Sequence, residues 1–348
     1  MIPSKGYAVQ HSKDLLAPWN FERREPGEHD VLIEILFCGV CHSDIHQVRS
    51  EWGPSRYPMV PGHEIVGKVK KVGSAVQKYK EGDTVGVGCM VNSCMECGNC
   101  THGHQQYCEK VQKVWTYNSV EKDGKTPTYG GYSDCIVVDE NFVLLVSPDL
   151  PVERVAPLLC AGITTYSPLR KYKVGKGHRV GVLGLGGLGH MAVKFASAFG
   201  AEVTVLSTSE NKKEDAEKLG AHHFCLTKDA TQVRALTNYF DFIIDTVSAS
   251  HDYGMYLKML RLDGVHICVG IPPEAIQINP VFLLGNRRSI SGSSIGGIPE
   301  TQEMLDFCAA HNITSEVEVI PINYINEAYE RMIVADVKYR FVIDLKTI

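Results

Sequence analysis

The sequence lacks the features that mark membrane, secreted or nucleic-acid-binding proteins. Its 35 Lys and Arg residues against 40 Asp and Glu give a formal net charge of -5, which provides no field to recruit nucleic acid or an anionic membrane. No apolar run reaches the roughly 18 residues of a membrane span, and residues 1–6 lack the charged start of a signal peptide. The expected partners are small molecules or protein subunits, and the expected location is the cytoplasm.

Internal repeats and low-complexity segments are also missing. The 348 residues exceed what one hydrophobic core usually holds, so two domains are expected, and 44% hydrophobic with 22% charged residues is ordinary for a globular protein. The chain does contain 12 cysteines. In a reducing compartment these are better explained as metal ligands and buried thiols than as disulfides.

The stretch Pro61-Gly-His-Glu-Ile-Val-Gly67 places an imidazole next to a carboxylate between two glycines. Zn²⁺ prefers imidazole and thiolate ligands, and we nominate Cys41 and Cys160 as the partners of His63. Three protein ligands leave one coordination position open, which is typical of a catalytic zinc. The alternative is that the glycines form turns around a buried core histidine.

Proton-handling side chains follow Cys41 in the segment His42-Ser-Asp-Ile-His46. Ser43 is two residues from Cys41, close enough for its hydroxyl to reach an oxygen at the metal. His46, with an unperturbed pKa near 6.5, suits a proton shuttle to solvent, and Asp44 suits a partner for the N–H of a ligating histidine. The alternative is a polar helix start in which Ser43 or Asp44 is the N-cap.

A second group of cysteines lies in one loop, at positions 94, 97, 100 and 108. Four thiolates at these spacings can surround one tetrahedral Zn²⁺ at about 2.3 Å and leave no position for a substrate. The group therefore predicts a structural zinc site, Cys94, Cys97, Cys100 and Cys108. An iron–sulfur cluster is the main rival, and disulfides are a weaker one.

The predicted secondary structure changes past Pro151, from short β-strands to alternating strands and helices. The apolar run Arg179–Leu183 predicts a buried strand, and a helical pattern from His190 to Phe199 ends at Gly200. Between them lies a glycine motif of the dinucleotide-binding type: Gly184, Leu185, Gly186, Gly187, Leu188 and Gly189. Its glycines allow a turn, the approach of a pyrophosphate and close helix packing.

Alternating elements continue to the end of the chain. The predicted strands are 30–37, 202–206, 223–226, 240–245, 265–269, 290–294, 315–320 and 338–344, and the predicted helices are 212–219, 253–260, 299–310 and 323–334. About six strands of the middle region form a doubly wound parallel sheet of α/β class. The last elements are too few for a third domain and are expected to complete the first one.

Taken together, these motifs resemble the zinc-dependent medium-chain alcohol dehydrogenases. The residues that carry the resemblance are Cys41, Gly62-His63-Glu64 with Gly67 and Gly73, the four loop cysteines, Cys160 and Gly184–Gly189. The runs YPMVPGHEIVG, AGITTYSPL, GVLGLGGLGH, STSENKK and VKYRFVIDL are similar to the cinnamyl alcohol dehydrogenase branch. The resemblance covers nearly the whole chain.

The resemblance implies a GroES-like β-rich catalytic domain, 1–160 with 295–348, a Rossmann domain, 161–294, and an active site in the cleft between them. It implies two zinc ions, one catalytic and one structural, hydride transfer from NADPH and a homodimer. Glu64 matches a residue that can approach the zinc. Ser43 is expected to supply a proton that reaches it through the cofactor ribose and His46.

Further residues are assigned by the same resemblance. Arg340 matches an arginine that pairs with the pyrophosphate, His42 occupies another phosphate-side position, and Thr164 is expected to pack on the nicotinamide. Trp52 and Met90 are expected to line the substrate channel, with Trp115 near them. Apolar walls of this kind favour aromatic or medium aliphatic aldehydes over polyols. Cys38, Cys89, Cys135, Cys225, Cys268 and Cys308 are expected to be core thiols.

The end of the second Rossmann strand predicts the cofactor. An NAD enzyme has Asp or Glu there for the ribose 2′-hydroxyl, whereas this chain has Ser207, Thr208 and Ser209. These hydroxyls can donate to a 2′-phosphate, and Lys212 or Lys213 can neutralise its charge. The sequence thus predicts NADP(H). The alternative is that Ser209 caps the next helix and the lysines are solvated on its surface.

Two other functions stay open at this point. A polyol dehydrogenase of the same superfamily is one, although that branch usually lacks the four-cysteine loop or replaces one ligand by Glu. The second is a catalytically silent, nucleotide-binding structural protein, against which Ser43, His46 and the complete ligand sets argue.

Overall fold

A computed structural model describes residues 1–110 and 112–348. The chain divides into two compact units, Met1–Ile163 with Gly296–Ile348, and Thr164–Ile295. The sequence-based boundaries, at 160/161 and 294/295, fall beside these divisions. Among the described residues, no helix is both long and apolar enough to span a membrane.

The first unit begins with nine strands. They are β1 (Ile2–Ala8), β2 (Ala17–Arg23), β3 (Asp30–Gly39), β4 (Ile65–Val72), β5 (Thr84–Val87), β6 (Met90–Asn92), β7 (Val114–Trp115), β8 (Cys135–Asp139) and β9 (Leu144–Leu145). Its helices are α1 (His42–Val48), α2 (Gly98–Thr101) and α3 (Val152–Val155), followed by α4 (Ala161–Lys171), which continues into the second unit. Burial alternates along β3, since Val31, Ile33 and Ile35 are buried while Leu32 and Glu34 are only partly so, as expected for a strand with one face on the core.

The second unit contains six strands. They are β10 (Arg179–Leu183), β11 (Glu202–Ser207), β12 (His223–Leu226), β13 (Phe240–Asp245), β14 (Leu260–Cys268) and β15 (Ser289–Gly292). The helices are α5 (Gly189–Ala198), α6 (Lys213–Lys218), α7 (Ala230–Ala235), α8 (Tyr253–Met259) and α9 (Val281–Leu284). The strand order is β12-β11-β10-β13-β14-β15, and every pairing is parallel. The prediction of a doubly wound parallel sheet is confirmed.

The last part of the chain returns to the first unit. It contains α10 (Ile298–His311), β16 (Val317–Pro321), α11 (Ile325–Ile333) and β17 (Arg340–Asp344). Strand β17 pairs with β3 in a seven-stranded sheet of order β16-β17-β3-β4-β5-β9, with β8 also paired to β3. These elements therefore complete the first sheet.

Several predicted boundaries differ from the structure. Helix α5 begins at Gly189 rather than His190, and a 3₁₀ turn, Glu210–Lys212, precedes α6. Strand β14 begins five residues before the predicted start at Val265, because Leu260 also pairs with Phe240 across an irregularity in the ladder. Helix α7 was missed; Asp229 caps it by accepting hydrogen bonds from the backbone of Thr231 and Gln232.

Candidate functional site

Three side chains from distant parts of the sequence meet in the first unit: Cys41, His63 and Cys160. Cys41 follows β3 as the N-cap of α1, His63 lies just before β4, and Cys160 immediately precedes α4. Together with Glu64 they place one ligand atom each within 4.8 Å of one another, and all four residues are buried. The Sγ atoms of Cys41 and Cys160 are 4.0 Å apart.

The donor set suits a zinc ion. Two thiolates bound to tetrahedral zinc at about 2.3 Å lie roughly 3.8 Å apart, close to the spacing of Cys41 and Cys160. Contact with Cys160 lowers the pKa of the Cys41 thiol, and burial opposes that shift. The nearby charges of Arg340 and His63 lower it further, which favours the thiolate that binds metal.

Asp44 orients the imidazole of His63. Its Oδ1 accepts a hydrogen bond from His63 Nδ1 at 3.1 Å, so Nε2 is the ring atom that carries a lone pair for a metal. The same carboxylate accepts from the backbone amides of Cys41 and Gly62 and from the hydroxyl of Tyr132, at 2.9, 3.1 and 3.2 Å. The N-cap prediction for Ser43 or Asp44 is wrong, because Cys41 occupies that position and Asp44 bonds back to its amide.

Glu64 and Arg340, which were assigned separate roles, form one buried ion pair. The guanidinium of Arg340, on β17, donates to Glu64 Oε1. Burial raises the pKa of Glu64 to about 7, and the charge of Arg340 acts against that rise. Glu64 Oε2 is buried and makes no hydrogen bond to the described residues. Glu64 therefore retains one carboxylate oxygen beside the ligand atoms of Cys41 and His63.

Ser43 and His46 lie on the first turns of α1. The hydroxyl oxygen of Ser43 is 3.6 Å from Cys41 Sγ. His46 is partly exposed, its Nδ1 is 2.5 Å from Glu51 Oε2, and its ring stacks on Trp52 at 4.7 Å. Glu51 was not identified from the sequence, although an acidic residue just beyond a shuttle histidine was a usable signal. His42 is exposed at the start of the same helix.

The three residues expected at the substrate channel have different surroundings. Met90 is buried and pairs with Trp115 across β6 and β7. Trp115 is partly exposed, with the ammonium of Lys113 above its ring at 5.0 Å. Trp52 is exposed apart from its contact with His46. The structure thus places Trp52 beside His46 and the other two on a separate two-stranded sheet.

The four loop cysteines also converge. Their Sγ atoms lie within 4.8 Å of one another, and those of Cys94 and Cys100 are 3.7 Å apart. The amide of Cys97 donates to Cys94 Sγ and the amide of Glu109 donates to Cys97 Sγ, both at 3.4 Å. Backbone N–H groups aimed at sulfur stabilise thiolates, so these residues fit a closed zinc site.

Not all of the remaining cysteines are core thiols. Cys38, Cys225 and Cys308 are buried as expected. Cys89, Cys135 and Cys268 are only partly buried, so the prediction is wrong for these three. Cys135 is the first residue of β8. Its Sγ lies 3.3 Å from Ser4 Oγ.

The glycine motif connects β10 to α5 in the second unit. Gly184 has φ of +87°, which favours glycine, and a Cβ on Gly189 would come within 2.2 Å of the Gly184 carbonyl oxygen. A Cβ on Gly186 would meet nothing within 4 Å, so the backbone there is open to a ligand. Leu188 is the N-cap of α5, and Lys212 Nζ donates to the carbonyl of Leu185 at 2.8 Å.

Ser207 ends β11, and Ser209 precedes the 3₁₀ turn that leads into α6. Ser207 is buried and its hydroxyl accepts from the amide of Ser209 at 3.2 Å, whereas Thr208 and Ser209 are exposed. Ser209 holds the N-cap position but makes no side-chain capping hydrogen bond. Lys213 is exposed, and Thr164 is buried in α4. The Ser209 hydroxyl is therefore not used to cap the turn that leads into α6.

Comparison with known proteins places these features in one family. An alcohol dehydrogenase GroES-like domain matches residues 27–148, and a zinc-binding dehydrogenase domain matches residues 187–310. The NADP-dependent alcohol dehydrogenase C 1 of Mycolicibacterium smegmatis is 54% identical, over 99% of this chain and 98% of its own.

Two solved structures extend the comparison. A cinnamyl alcohol dehydrogenase of Sorghum bicolor has a TM-score of 0.95 and 44% identity, over 99% of this chain and 98% of that one. CAD of Helicobacter pylori, in complex with NADP(H), has a TM-score of 0.92 and 48% identity, over 99% of both chains. Since both domain models match and the likeness extends over almost every residue, this chain belongs to the zinc-type alcohol dehydrogenases, with a GroES-like domain and a zinc-binding dehydrogenase domain.

Proposed function

We propose that this protein is an NADP(H)-dependent zinc alcohol dehydrogenase that interconverts aromatic, cinnamyl- or benzyl-type, and medium aliphatic alcohols with their aldehydes. The observation that carries the proposal is the convergence of Cys41, His63 and Cys160, although Cys41 and Cys160 are 119 positions apart. Two thiolates and one imidazole leave a coordination position for a substrate. The first unit is the proposed catalytic domain and the second the proposed cofactor domain.

Cys41, His63 and Cys160 would hold a catalytic zinc ion, and Cys94, Cys97, Cys100 and Cys108 a structural one. Zinc at the first site supplies a positive charge that polarises a carbonyl oxygen. The protein's contribution is to keep the ligands fixed: Asp44 holds the ring of His63, and the backbone of α1 holds Cys41. Glu64, kept in place by Arg340, is a further carboxylate at the same site.

Carbonyl reduction consumes one proton, and alcohol oxidation releases one. Ser43 is the proposed donor at the substrate, because its hydroxyl lies 3.6 Å from Cys41 Sγ. His46 is the proposed exchange point with solvent, since its side chain is 27% exposed. Glu51 holds the ring of His46 through Nδ1, which leaves Nε2 to accept or release the proton.

The proposed cofactor residues in the second unit are Gly184–Gly189 with Ser207, Thr208, Ser209, Lys212, Lys213 and Thr164. NADP(H) supplies or accepts the hydride. The N-terminus of α5 and the open backbone at Gly186 suit a pyrophosphate. Ser209 and Thr208 can donate hydroxyl hydrogen bonds to a 2′-phosphate, and Lys212 lies against the glycine motif. In the first unit, His42 and Arg340 are the proposed phosphate-side residues.

The cofactor proposal is tested by replacing Ser207 with Asp. A carboxylate at the end of β11 repels a 2′-phosphate and accepts hydrogen bonds from a ribose 2′-hydroxyl. We expect the wild type to prefer NADPH over NADH by at least about tenfold in kcat/KM, or ~1.4 kcal/mol, and the variant to shrink or invert that ratio. Ser207→Thr, which keeps the hydroxyl, is the matched control. A wild type that prefers NADH contradicts the proposal.

The substrate proposal is tested with a panel of benzaldehyde, cinnamaldehyde, hexanal and sorbitol. Trp52, Met90 and Trp115 are the proposed apolar walls, and such walls favour flat or aliphatic substrates over a polyol. A kcat/KM higher for sorbitol than for the aldehydes supports the polyol alternative. If the protein binds NADPH but shows no zinc-dependent turnover of any of these compounds, the catalytically silent alternative is supported.

We also propose a homodimer in the cytoplasm. Strand β15 ends the order of the parallel sheet, and an edge strand pairs readily with another chain. Six of the 12 cysteines are proposed zinc ligands, a use of thiolates that fits a reducing compartment. Sedimentation equilibrium measures the assembly: a mass near twice 38.4 kDa supports the dimer, and a mass near 38.4 kDa contradicts it.

A further inference from the structure

A third cluster of metal-binding side chains belongs to the second unit, whereas both cysteine sites belong to the first. Asp245 is the last residue of β13, His266 lies on the neighbouring strand β14, and His251 belongs to the segment between β13 and α8. One ligand atom from each residue lies within 4.8 Å of the other two. Asp245 and His266 are buried, and His251 is largely so.

Both imidazole rings point at the same carboxylate oxygen. Asp245 Oδ2 is 3.0 Å from His251 Nε2 and 3.1 Å from His266 Nε2. Nitrogen and oxygen ligands of a tetrahedral metal at about 2.0 Å are separated by roughly 3.3 Å. The other oxygen, Oδ1, accepts from the amide of Val247 at 3.0 Å, which fixes the carboxylate. Each histidine nitrogen is therefore at nearly the distance from Asp245 Oδ2 that separates two ligand atoms of a bound transition metal.

The tautomer of His251 strengthens this interpretation. Its Nδ1 lies 2.9 Å from the carbonyl oxygen of Ala249, which can only accept, so Nδ1 carries a proton. In the neutral ring, the lone pair is then on Nε2 and faces the Asp245 carboxylate. Nε2 is buried and makes no hydrogen bond of acceptable geometry. A histidine that donates one N–H to a backbone carbonyl and directs its other nitrogen inward is arranged as metal ligands usually are.

Tyr253 keeps the two rings in position. Its ring stacks on His251 with centroids 4.3 Å apart and lies 5.4 Å from the ring of His266. Tyr253 is itself buried at the start of α8. The rings are thus held by packing and need little reordering to bind an ion.

We propose that Asp245, His251 and His266 bind a divalent first-row transition metal such as Zn²⁺ or Co²⁺. Two imidazoles with one carboxylate favour such ions over Mg²⁺ and Ca²⁺, which prefer oxygen ligands. The ion joins the C-terminal ends of β13 and β14 to the segment that carries His251. Three protein ligands leave at least one coordination position for water.

The position of this site connects it to the glycine motif. The segment after Asp245 packs against that motif: Thr246 Oγ1 donates to the Leu183 carbonyl at 2.8 Å. A Cβ on Gly184 would lie 2.9 Å from Val247 Cγ2. A metal ion that tethers His251 restrains the segment on which the glycine turn rests, and so stabilises the nucleotide-binding end of the sheet.

The experiment is a Co²⁺ titration of the full-length protein that holds zinc at its cysteine sites, after dialysis against a weak chelator that strips ions held only by nitrogen and oxygen ligands. Uptake at the nitrogen and oxygen ligands gives weak visible d–d bands without the intense near-ultraviolet band of thiolate bound to cobalt. Exchange into a cysteine site gives that band, so the two events are distinguishable. We expect the wild type to bind one Co²⁺ ion per chain at the new site, and His251→Gln and His266→Leu to lose that binding.

His223→Gln is the matched control, because His223 is an exposed histidine that also contacts a carboxylate, Glu202, at 2.9 Å. It is expected to titrate like the wild type. His251→Gln alters a partly exposed position and keeps the test independent of any folding defect caused by His266→Leu. Identical spectra for the wild type and His251→Gln overturn the proposal. So does a wild type that binds no Co²⁺ outside the cysteine sites.

Discussion

The two cysteine-containing sites of the first unit are built in opposite ways. The loop site takes all four ligands from residues 94–108, around the short helix α2 and the 3₁₀ turn Gln105–Tyr107. Its buried cluster consists of the cysteines themselves. The segment therefore has little apolar surface of its own to hold it in shape.

The other site takes its ligands from the end of β3, the segment before β4 and the residue before α4. Strands β3 and β4 are paired over most of their length, and Asp44 ties Cys41, Gly62 and His63 together. The pairing of these strands and the hydrogen bonds of Asp44 hold the backbone around these ligands. We therefore expect the loop to need its metal in order to fold, and the sheet to keep its site in shape without one.

Replacing Cys100 by Ser breaks the loop site and has the largest expected effect. Structural zinc ions contribute about 10 kcal/mol or more of apparent binding free energy in small zinc-finger peptides, and a three-thiolate site forfeits much of this. We expect aggregation or a large fall in the unfolding temperature, measured by calorimetry, with loss of one zinc per chain. Cys135→Ser, outside the cluster, is expected to leave both quantities unchanged. A Cys100→Ser protein as stable as the wild type contradicts the comparison.

Replacing Cys41 by Ser tests whether the Cys41–His63–Cys160 site keeps its fold without its metal. The fold is expected to survive because the sheet positions the site, while kcat/KM falls by at least about 10³-fold, or ~4 kcal/mol. Zinc held at the cysteine sites, measured by mass spectrometry after dialysis against a weak chelator, is expected to fall from two ions to one per chain. Cys89→Ser removes a neighbouring thiol that is not a proposed ligand, and is expected to keep both ions. Full activity with one zinc per wild-type chain refutes the division of roles.

Replacing Ser43 by Ala removes the proposed proton donor and leaves the ligands intact. General acid–base groups contribute about 10²- to 10⁴-fold, so kcat for aldehyde reduction is expected to fall by that factor without loss of zinc. Ser43→Thr restores a hydroxyl and is expected to recover most of the rate. Equal rates in the Ala variant and the wild type exclude Ser43 as the donor.

Replacing Tyr132 by Phe has the smallest expected effect. It removes one of the hydrogen bonds that hold the Asp44 carboxylate, and loss of such outer partners weakens metal binding by about 10- to 100-fold. Competition with a chelator measures the change as faster release of one zinc. Tyr329→Phe is the control, because that hydroxyl donates to Tyr132, at 3.4 Å, and not to Asp44. Equal release rates in the Tyr132 variant and the wild type remove Tyr132 from the support of the site.

The same contrast explains what was visible in the sequence. The four loop cysteines could be grouped because their spacing alone brings them together. Strands β10 and β13 were predicted at their observed bounds because buried parallel strands are apolar runs. The hydrogen bond from Tyr132 to Asp44 could not be predicted, because 88 residues separate the two and a single tyrosine is not part of any recognisable sequence motif. The ion pair of Glu64 and Arg340 was missed for the same reason, with 276 residues between its members.

The pairing of β17 with β3 also determines the order in which this polypeptide can complete its two units during translation. Residues 164–295 are contiguous, so the parallel sheet has all its strands once the ribosome has passed β15. The first sheet does not, because β17 lies between β3 and β16 and carries the guanidinium that neutralises Glu64. A nascent chain therefore holds an incomplete sheet edge, with a buried carboxylate still lacking its counter-charge, until synthesis reaches Arg340. The first unit, which contains the N-terminal residues, is therefore the last to receive all of its strands.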